Sequence, residues 1–310
     1  MKLNKILSKT KWLILLIVLL ITLLYVKTLR KWIYEGFTNI EDRTEVDFSS
    51  YKVHSDVESI FDDFYCRIYD HLFYEEPRNI FEMQELETYT SLKKNSAILD
   101  VGCGTGNQSY MLHDRKYNVL GIDKSKAMIN FCKKQYPKQK FQHGDVSEGV
   151  LYDDERFTHV VCYYFTIYYI KNKRQFFENC MHWLEPGGYL VIHLVNKNKF
   201  DPIVPVGNPL EFVNPQKHAK ERMTKTDVIF KKFNYKAYFE LKQDKAYFIE
   251  EFRDKKNRGM RKHVHELFMD SQQDIINMAK EIGFIVKAKS NMVRCGYEYQ
   301  YLYFLQKPLK

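Results

Sequence analysis

The stretch ILDVGCGTGN at residues 98–107 decides the fold of this 310-residue chain. It begins as a buried apolar strand that ends on an acid, Asp100, and it continues as a glycine-rich turn that opens a helix. Glycine lacks a Cβ atom, so it adopts backbone angles that other residues avoid and lets a ligand lie against the main chain. The stretch therefore predicts a nucleotide-binding turn.

The spacing of the glycines narrows the class of ligand. Gly102, Gly104 and Gly106 follow the pattern G-x-G-x-G, whereas a dinucleotide fold has G-x-G-x-x-G and a P-loop has a Lys-Ser/Thr pair after its glycines. A bound pyrophosphate is therefore disfavoured. A glycine turn in an unrelated α/β protein is the simplest alternative, and the rest of the chain argues against it.

Acids also occur in the next two predicted strands. Residues 118–123 form a short apolar run that ends on Asp123. A carboxylate at this position can accept hydrogen bonds from both hydroxyls of a ribose, although an Asp there can also simply cap a helix. Residues 141–146 contain Asp145, and a Gly-Asp pair alone indicates only a turn.

The remaining chain supplies the other elements of an α/β sheet. Apolar periodicity, a capping box and glycine stops predict a strand at 158–163, a helix at 172–184, a strand entered through the Pro-Gly-Gly turn at 186–188, a helix at 271–282, and two β runs at 284–289 and 299–306. The last two runs are expected to form an antiparallel hairpin that closes the sheet.

In this order, the motifs resemble those of class I S-adenosylmethionine (SAM) dependent methyltransferases. The resemblance implies that the glycine loop faces the methionyl part of SAM and that Asp100 helps to hold its ammonium group. It also implies that Asp123 binds the ribose, that Asp145 takes the adenine amino group and that Val146 packs on the ring. The residues expected at the cofactor are Asp100, Gly102, Cys103, Gly104, Thr105, Gly106, Asp123, Lys124, Asp145, Val146 and Tyr163.

The predicted fold is a seven-stranded Rossmann-like α/β sheet of the class I methyltransferase type, with an antiparallel β insert and an N-terminal transmembrane helix. Basic flanks and a membrane anchor occupy residues 1–32, a linker occupies 33–57, and the methyltransferase domain occupies 58–310. Within that domain, residues 196–270 are not needed by the minimal fold. We expect them to form a substrate-side insert with strands near 228–241, 246–252 and 260–269.

The positive charge of the chain is concentrated at its N-terminus. The formal net charge is +9, but residues 1–31 carry seven Lys or Arg and no acid, so the remainder is close to neutral. A nucleic-acid partner is therefore disfavoured. Trp12 to Val26 is uncharged and apolar, and flanking lysines can extend it toward the roughly 20 residues that span a bilayer. We expect an uncleaved anchor, with a cleaved signal or a surface-lying helix as the alternatives.

The number and spacing of the cysteines indicate the redox compartment of the enzyme domain. The six cysteines include no C-x-x-C pair, and several fall in predicted buried strands, as free thiols in a reducing compartment do. We therefore expect a single-pass membrane protein whose enzyme domain faces the cytosol. The sequence does not specify an oligomeric state.

Aromatic residues indicate where an acceptor binds. The insert, the Ile-Tyr-Asp sequence at 68–70 and the aromatic run at 162–169 resemble the small-molecule N-methyltransferases of the amino-sugar and glycine type. That resemblance implies that Tyr69 lies near the acceptor. Tyr69, Tyr164 and His193 are the candidate catalytic groups, and each is also explained as a wall residue or as a hydrogen-bonded strand-end side chain.

A pair of histidines in the insert raises the question of a metal. His263 and His265 share one face of a predicted strand, which is a spacing that metal sites use. No Cys or acid cluster in the sequence completes such a site. We therefore expect the two imidazoles to face solvent, and we expect no metal.

These observations predict an enzyme that transfers a methyl group from SAM to a small molecule, at nitrogen or oxygen. A membrane lipid or quinone is the alternative acceptor, favoured by the anchor and opposed by the large insert. A non-catalytic tethered scaffold is opposed by the intact set of acids and glycines. An aminopropyltransferase is opposed by the absence of a Gly-Asp-Gly loop.

Overall fold

The computed structural model describes residues 12, 16–25, 52–149, 151–207, 216, 219–256 and 259–309. The basic flank at 1–11 and most of the predicted linker lie outside the described residues. Of the predicted anchor, residues 16–25 form helix α1, whose apolar side chains are exposed. Within the described ranges, no helix combines the length and the apolar character needed to cross a membrane.

The main domain combines β-strands with α-helices. The strands are β1 (Lys52–His54), β2 (Ala97–Val101), β3 (Asn118–Asp123), β4 (Lys140–His143), β5 (Phe157–Cys162), β6 (Leu184–Val195), β7 (Lys225–Ile229), β8 (Phe233–Lys242), β9 (Lys245–Asp254), β10 (Met260–Phe268), β11 (Ile285–Asn291) and β12 (Gln300–Gln306). The helices after α1 are α2 (Val57–Ile60), α3 (Asp63–Phe73), α4 (Glu76–Tyr89), α5 (Asn107–Asp114), α6 (Lys126–Gln135), α7 (Thr166–Tyr169), α8 (Lys173–Trp183) and α9 (Gln272–Ile282).

The larger sheet has seven strands in the order β11-β12-β6-β5-β2-β3-β4. Strands β2 to β6 run parallel to their neighbours, and β12 and β11 are antiparallel. The parallel strands are apolar and largely buried because helices cover both faces of the sheet. The strand order reverses at β2, which has β3 on one side and β5 on the other, and a ligand crevice forms at the carboxyl ends of strands at such a point.

A second sheet differs from the predicted insert. Its order is β1-β10-β9-β8-β7, so it has five strands where the sequence predicted three. The predicted strand at 228–241 is two strands, β7 and β8, joined by a turn at Phe230-Lys231-Lys232 that contains no glycine or proline to mark it. The fifth strand, β1, comes from the predicted linker and pairs in parallel with β10.

Helix α3 connects the two sheets. Asp62 caps its first turn by accepting a hydrogen bond from the backbone N–H of Tyr65, and the guanidinium of Arg261 on β10 lies 2.9 Å from the same carboxylate. The apolar face of α3 packs on residues of β8, β9 and α6 in one buried cluster. This packing places α3 and the second sheet opposite the carboxyl ends of β2, β3 and β5.

Candidate functional site

A cavity of about 1060 Å³ lies between the two sheets at the carboxyl ends of the parallel strands. Its walls come from the loop after β2, the ends of β3 and β5, helices α3, α4 and α7, and strands β8 to β10. This volume is at the upper end of the range of small-molecule sites. The cavity lies where the order of the parallel strands reverses.

The glycine loop is held by the main chain of the next strand. The backbone N–H groups of Gly102 and Cys103 donate to the carbonyl of Ile122 at 2.8 and 3.1 Å. Gly102 has a φ of +67°, and a Cβ there would lie 2.4 Å from Thr166 Cγ2, so the loop packs directly on the start of α7. Gly104 has a φ of +55°, but the nearest atom to its missing Cβ is Tyr69 Cε1 at 4.0 Å. The cavity is therefore open to a ligand at Gly104.

Asp123 lies at the end of β3, and its carboxylate can accept more hydrogen bonds than the protein supplies. Its Oδ2 accepts the backbone N–H of Gly104 at 2.9 Å, and its Oδ1 accepts that of Ser125 at 2.8 Å. A carboxylate has about four lone-pair sites, so two remain for a ligand. Burial raises the pKa of Asp123.

Asp100 and Thr105 fix the two ends of the loop. Asp100 is buried at the end of β2, where it accepts the Ser109 hydroxyl at 2.5 Å, and burial raises its pKa to about 7. The Thr105 hydroxyl donates to Asp70 of α3 at 2.5 Å. Both residues line the cavity, as do Cys103 and the other predicted residues of the loop except Gly106. Gly106 caps α5 from the left-handed region instead.

Asp145 lies farther along the same edge beside Val146. Lys124 Nζ is 2.7 Å from its Oδ2, and the backbone N–H and hydroxyl of Ser147 both donate to its Oδ1. Burial works to raise the pKa of Asp145, but the hydrogen bonds from Lys124 and Ser147 outweigh it and leave the pKa lowered. The structure therefore brings Lys124, Asp145 and Val146 to the cavity wall, and their binding of a cofactor stays a prediction.

Three tyrosines predicted from sequence also line the cavity. The ring of Tyr69 packs at a tilt against Phe73 with centroids 4.9 Å apart, and burial raises the pKa of Tyr69. Tyr164 has a φ of +50°, and burial raises its pKa to about 12. The hydroxyl of Tyr163 is buried and has no hydrogen-bond partner among the described residues.

His193 does not line the cavity, contrary to its selection as a catalytic candidate. It is completely buried within β6, where its Nε2 lies 3.0 Å from Gln300 Oε1 on the neighbouring strand. Burial and the nearby Arg78 cation lower the pKa of His193 to about 3, so the imidazole is neutral at physiological pH. It is a core side chain whose Nε2 is hydrogen-bonded and whose Nδ1 has no hydrogen-bond partner among the described residues.

Arg78 is a site residue that the sequence did not reveal. It is buried in the first turn of α4, where its guanidinium lies 4.2 Å from the ring centroid of Tyr164 and donates to the Tyr297 hydroxyl at 3.0 Å. The carboxylate of Glu82 is 4.0 Å from its Nε. A buried guanidinium in a cavity wall suits a ligand carboxylate. Nothing in the polar sequence around Pro77 distinguishes Arg78 from a solvated side chain.

His263 and His265 are buried, so the expectation that they face solvent was wrong. Glu250 lies directly opposite His263 in the β9–β10 register and completes a cluster whose ligand-type atoms are all within 4.8 Å of one another. The sequence missed it because the acid lies on the neighbouring strand. Glu250 Oε2 is 2.8 Å from His265 Nε2 and 3.3 Å from His263 Nδ1.

Two tyrosine hydroxyls complete the surroundings of Glu250. Tyr65 donates to Oε2 at 2.5 Å, and Tyr235 donates to Oε1 at 2.7 Å. Burial works to raise the pKa of Glu250, but its hydrogen bonds to His263 and His265 lower it well below the ordinary value. Glu250 is therefore a buried, ionised carboxylate surrounded by donors.

Comparison with known proteins assigns this fold. Residues 99–192 match the family described as methyltransferase domain. A probable S-adenosylmethionine-dependent methyltransferase of Mycolicibacterium smegmatis is 29% identical over 105 residues, which is 34% of this chain and 40% of that protein. A ubiquinone biosynthesis O-methyltransferase of Coxiella burnetii is 28% identical over 124 residues, which is 39% of this chain and 52% of that protein.

Among solved structures, the CcbJ methyltransferase of Streptomyces caelestis has a TM-score of 0.63 at 13% identity, with 82% of this chain and all of that chain covered. This likeness shows the fold alone. The chain spans about half or less of the length of the two curated relatives described above. Residues 99–192 therefore match a methyltransferase domain, and the chain has the fold of a solved methyltransferase.

Proposed function

We propose that this protein transfers the methyl group of SAM to a small-molecule acceptor, at nitrogen or oxygen. The observation that carries the proposal is the division of the cavity into a polar part at the glycine loop and an aromatic part under the second sheet. SAM supplies an electrophilic methyl group on a sulfonium. The protein has to bind it, align a nucleophile behind the methyl carbon and exclude water, and alignment alone can contribute about 7–11 kcal/mol.

The polar part of the cavity fits the three polar ends of SAM. Asp123 retains acceptor sites for a ribose diol, and the open space at Gly104 lets a ligand approach the main chain. Asp100 offers a carboxylate to an ammonium group. Arg78 offers a buried guanidinium to a carboxylate. These are the partners that a ligand with a ribose, an ammonium group and a carboxylate requires.

The aromatic part of the cavity suits a compact acceptor of the amino-sugar or related small-molecule type. Rings from α3, α7 and the second sheet surround it, including Phe61, Tyr69, Tyr164, Tyr169 and Phe248. Aromatic faces attract a cationic or partly cationic group, and their hydroxyls can orient a hydroxyl or amine nucleophile. A wall built from two sheets leaves little room for a macromolecular substrate.

The cofactor half of the proposal is tested by calorimetry with S-adenosylhomocysteine on the full chain. Asp123→Ala is expected to weaken binding by about 1.5–3 kcal/mol for each lost hydrogen bond to the carboxylate. Asp123→Asn, which keeps one side-chain oxygen for the Gly104 N–H, should lose less, and Asp227→Ala on the exposed surface of β7 serves as the control. Equal affinity in Asp123→Ala and the wild type would remove Asp123 from the site.

The acceptor is tested with methyl-labelled SAM. The full chain is incubated with the membrane fraction and, separately, with the soluble extract of its source cells, and the label is followed into small molecules, lipid and protein. We expect acceptor-dependent label in small molecules. Label found only in lipid or quinone would support the alternative acceptor, and S-adenosylhomocysteine binding without any transfer would support a scaffold.

A membrane lipid or quinone remains the second candidate acceptor. The relative from Coxiella burnetii that is named for ubiquinone biosynthesis supports it, as does an apolar N-terminal segment. The second sheet, which covers the cavity with its own core, favours a small molecule instead.

We also propose that the N-terminal segment anchors the protein and that the enzyme domain faces the cytosol. The apolar side chains of α1 are exposed, which suits lipid contact, and all six cysteines are free thiols. Full-length protein is expected to stay in membranes after carbonate extraction. Release by high salt alone would mean that the segment lies on the membrane surface.

A further inference from the structure

A chain of buried hydrogen bonds leads from the cavity into the second sheet. The hydroxyl of Tyr169, whose side chain lines the cavity, is 2.8 Å from His265 Nδ1. The other nitrogen of the same imidazole, Nε2, is 2.8 Å from Glu250 Oε2. Tyr169 is the last residue of α7, and the first, Thr166, packs on Gly102 of the cofactor loop.

The direction of each proton in this chain follows from its neighbours. Arg261 Nε always donates, and it lies 2.6 Å from His263 Nε2, so His263 carries its proton on Nδ1 and donates it to Glu250. An ionised Glu250 can only accept, so His265 must present a proton from Nε2. In the neutral ring, Nδ1 of His265 is then the acceptor, and the Tyr169 hydroxyl donates to it.

The same assignment of protons tells whether Glu250, His263 and His265 bind a metal ion or are joined by hydrogen bonds. A metal held by His263 Nδ1 would require that nitrogen to be unprotonated. The hydrogen bond from Arg261 occupies the lone pair of Nε2 and leaves the proton on Nδ1. The cluster is therefore a hydrogen-bonded network in which two imidazoles and two tyrosine hydroxyls donate to one carboxylate.

We propose that Tyr169, His265 and Glu250 form a proton relay that removes the proton of the acceptor during methyl transfer. The proposal rests on the proposed function and goes beyond it. Tyr169 is the catalytic residue, because it reaches the cavity. His265 and Glu250 are positioning residues that act through it, in the arrangement in which a carboxylate orients an imidazole beside a hydroxyl.

The relay balances atoms and charge. The acceptor lone pair forms the new bond to the methyl carbon while the carbon–sulfur bond breaks and its electron pair stays on sulfur. The proton of the acceptor moves to the Tyr169 oxygen as the Tyr169 proton moves to His265 Nδ1. The resulting imidazolium is stabilised by Glu250 and returns its proton to solvent through the same hydroxyl after the products leave.

The protonation state of the Tyr169 hydroxyl before the reaction agrees with a role in proton transfer. Burial, together with the neighbouring Tyr69 and Glu250, raises the pKa of Tyr169 well above its usual value, so the hydroxyl is neutral before reaction. A neutral hydroxyl between an acceptor and an imidazole can take one proton while it releases another. Phe61 and Phe248 pack against His265 and exclude water from the relay.

The first test needs no acceptor and uses ¹⁵N NMR of the histidine rings in the full chain. His265 is identified by its loss in His265→Gln. We expect a neutral ring with the proton on Nε2, and Tyr169→Phe should move the Nδ1 resonance to that of a nitrogen without a hydrogen bond. Tyr247→Phe, on the same sheet but outside the cavity wall, is the matched control. A proton on Nδ1, or a charged ring at rest, would overturn the relay.

The second test measures transfer from methyl-labelled SAM into cell extract at saturating SAM. Tyr169→Phe is expected to lower the rate by about 10²–10⁴-fold, with unchanged affinity for S-adenosylhomocysteine. His265→Gln keeps an oxygen that can accept the Tyr169 hydroxyl but cannot take up its proton. It should therefore lower the rate in the same way, whereas a purely structural imidazole would be rescued by Gln.

The two proposals fail in different ways. If S-adenosylhomocysteine does not bind, the proposed function fails, while the NMR result still reports on the proton network. If it binds and the wild type transfers methyl groups, but Tyr169→Phe and His265→Gln keep the wild-type rate, the relay alone is overturned.

Discussion

The cofactor edge of the larger sheet and the buried cluster of the second sheet use polar groups in opposite ways. At the cofactor edge, the partners come from short contiguous segments and from the main chain, as where Asp123 accepts backbone N–H groups of Gly104 and Ser125. At Glu250, the partners are side chains brought from α3, β8 and β10. A site built on the backbone leaves a motif in the sequence, whereas a site built from side chains across strands leaves none.

The sharpest test of this difference is the removal of the charge at Glu250. Glu250→Gln replaces an acceptor of four hydrogen bonds by an amide that donates as well, so buried donors lose their partner. We expect a loss of about 3–5 kcal/mol in the free energy of unfolding, measured by urea denaturation. Glu251→Gln, the next residue on β9, loses only a partly exposed pair with Lys262 at 3.4 Å and should cost about 1 kcal/mol or less. Similar losses in the two variants would contradict the comparison.

Substitution of two glycines in the glycine loop distinguishes an effect on folding stability from an effect on ligand binding. Gly102→Ala places a methyl group against Thr166 from a left-handed backbone, so we expect it to lower the free energy of unfolding by about 2 kcal/mol. Gly104→Ala is also strained, but its methyl group meets open space, so it should cost less stability and mainly weaken S-adenosylhomocysteine binding. Denaturation and calorimetry on both variants measure the two effects. If both variants changed the affinity for S-adenosylhomocysteine equally, the cavity at Gly104 would not hold the cofactor.

The smallest expected effect, taken per pH unit, comes from a histidine outside both regions. His159 in β5 is buried against Tyr189, and burial lowers its pKa to about 4. The unfolded chain, with the ordinary pKa of 6.5, binds the proton first, so stability is lost as the pH falls from about 6.5 to about 4. We expect the wild type to lose up to about 1.4 kcal/mol per pH unit relative to His159→Gln in this window. If the free energy of unfolding changed with pH in the same way in both proteins, the His159 ring would take up its proton in the folded state as it does in the unfolded chain.

The cavity wall at the larger sheet was largely predictable from the sequence, and the wall at the second sheet was not. Glycines and strand-end acids are dictated by local backbone geometry, which is why Gly104, Asp123 and Asp145 were found at the cavity. The α/β sheet followed from apolar runs and turn residues for the same reason.

The errors concern residues whose role depends on distant partners. His193 was placed at the crevice because it lies near the end of a strand, but its pairing with Gln300 on β12 buries it. Arg78 lies in a polar helix turn, and its guanidinium packs on the rings of Tyr164 and Tyr297, far along the chain. Glu250 completes the histidine cluster only through the β9–β10 register.

The short strand β1 has a practical consequence for anyone who shortens this protein. A cut placed by hydropathy, for example at Ser55, would remove Lys52–His54 and leave β10 as the outermost strand of its sheet. An unpaired strand edge is a template for association between molecules. A shortened chain that keeps residue 52 should therefore remain monodisperse at concentrations where one that starts at Ser55 aggregates, and light scattering would distinguish the two.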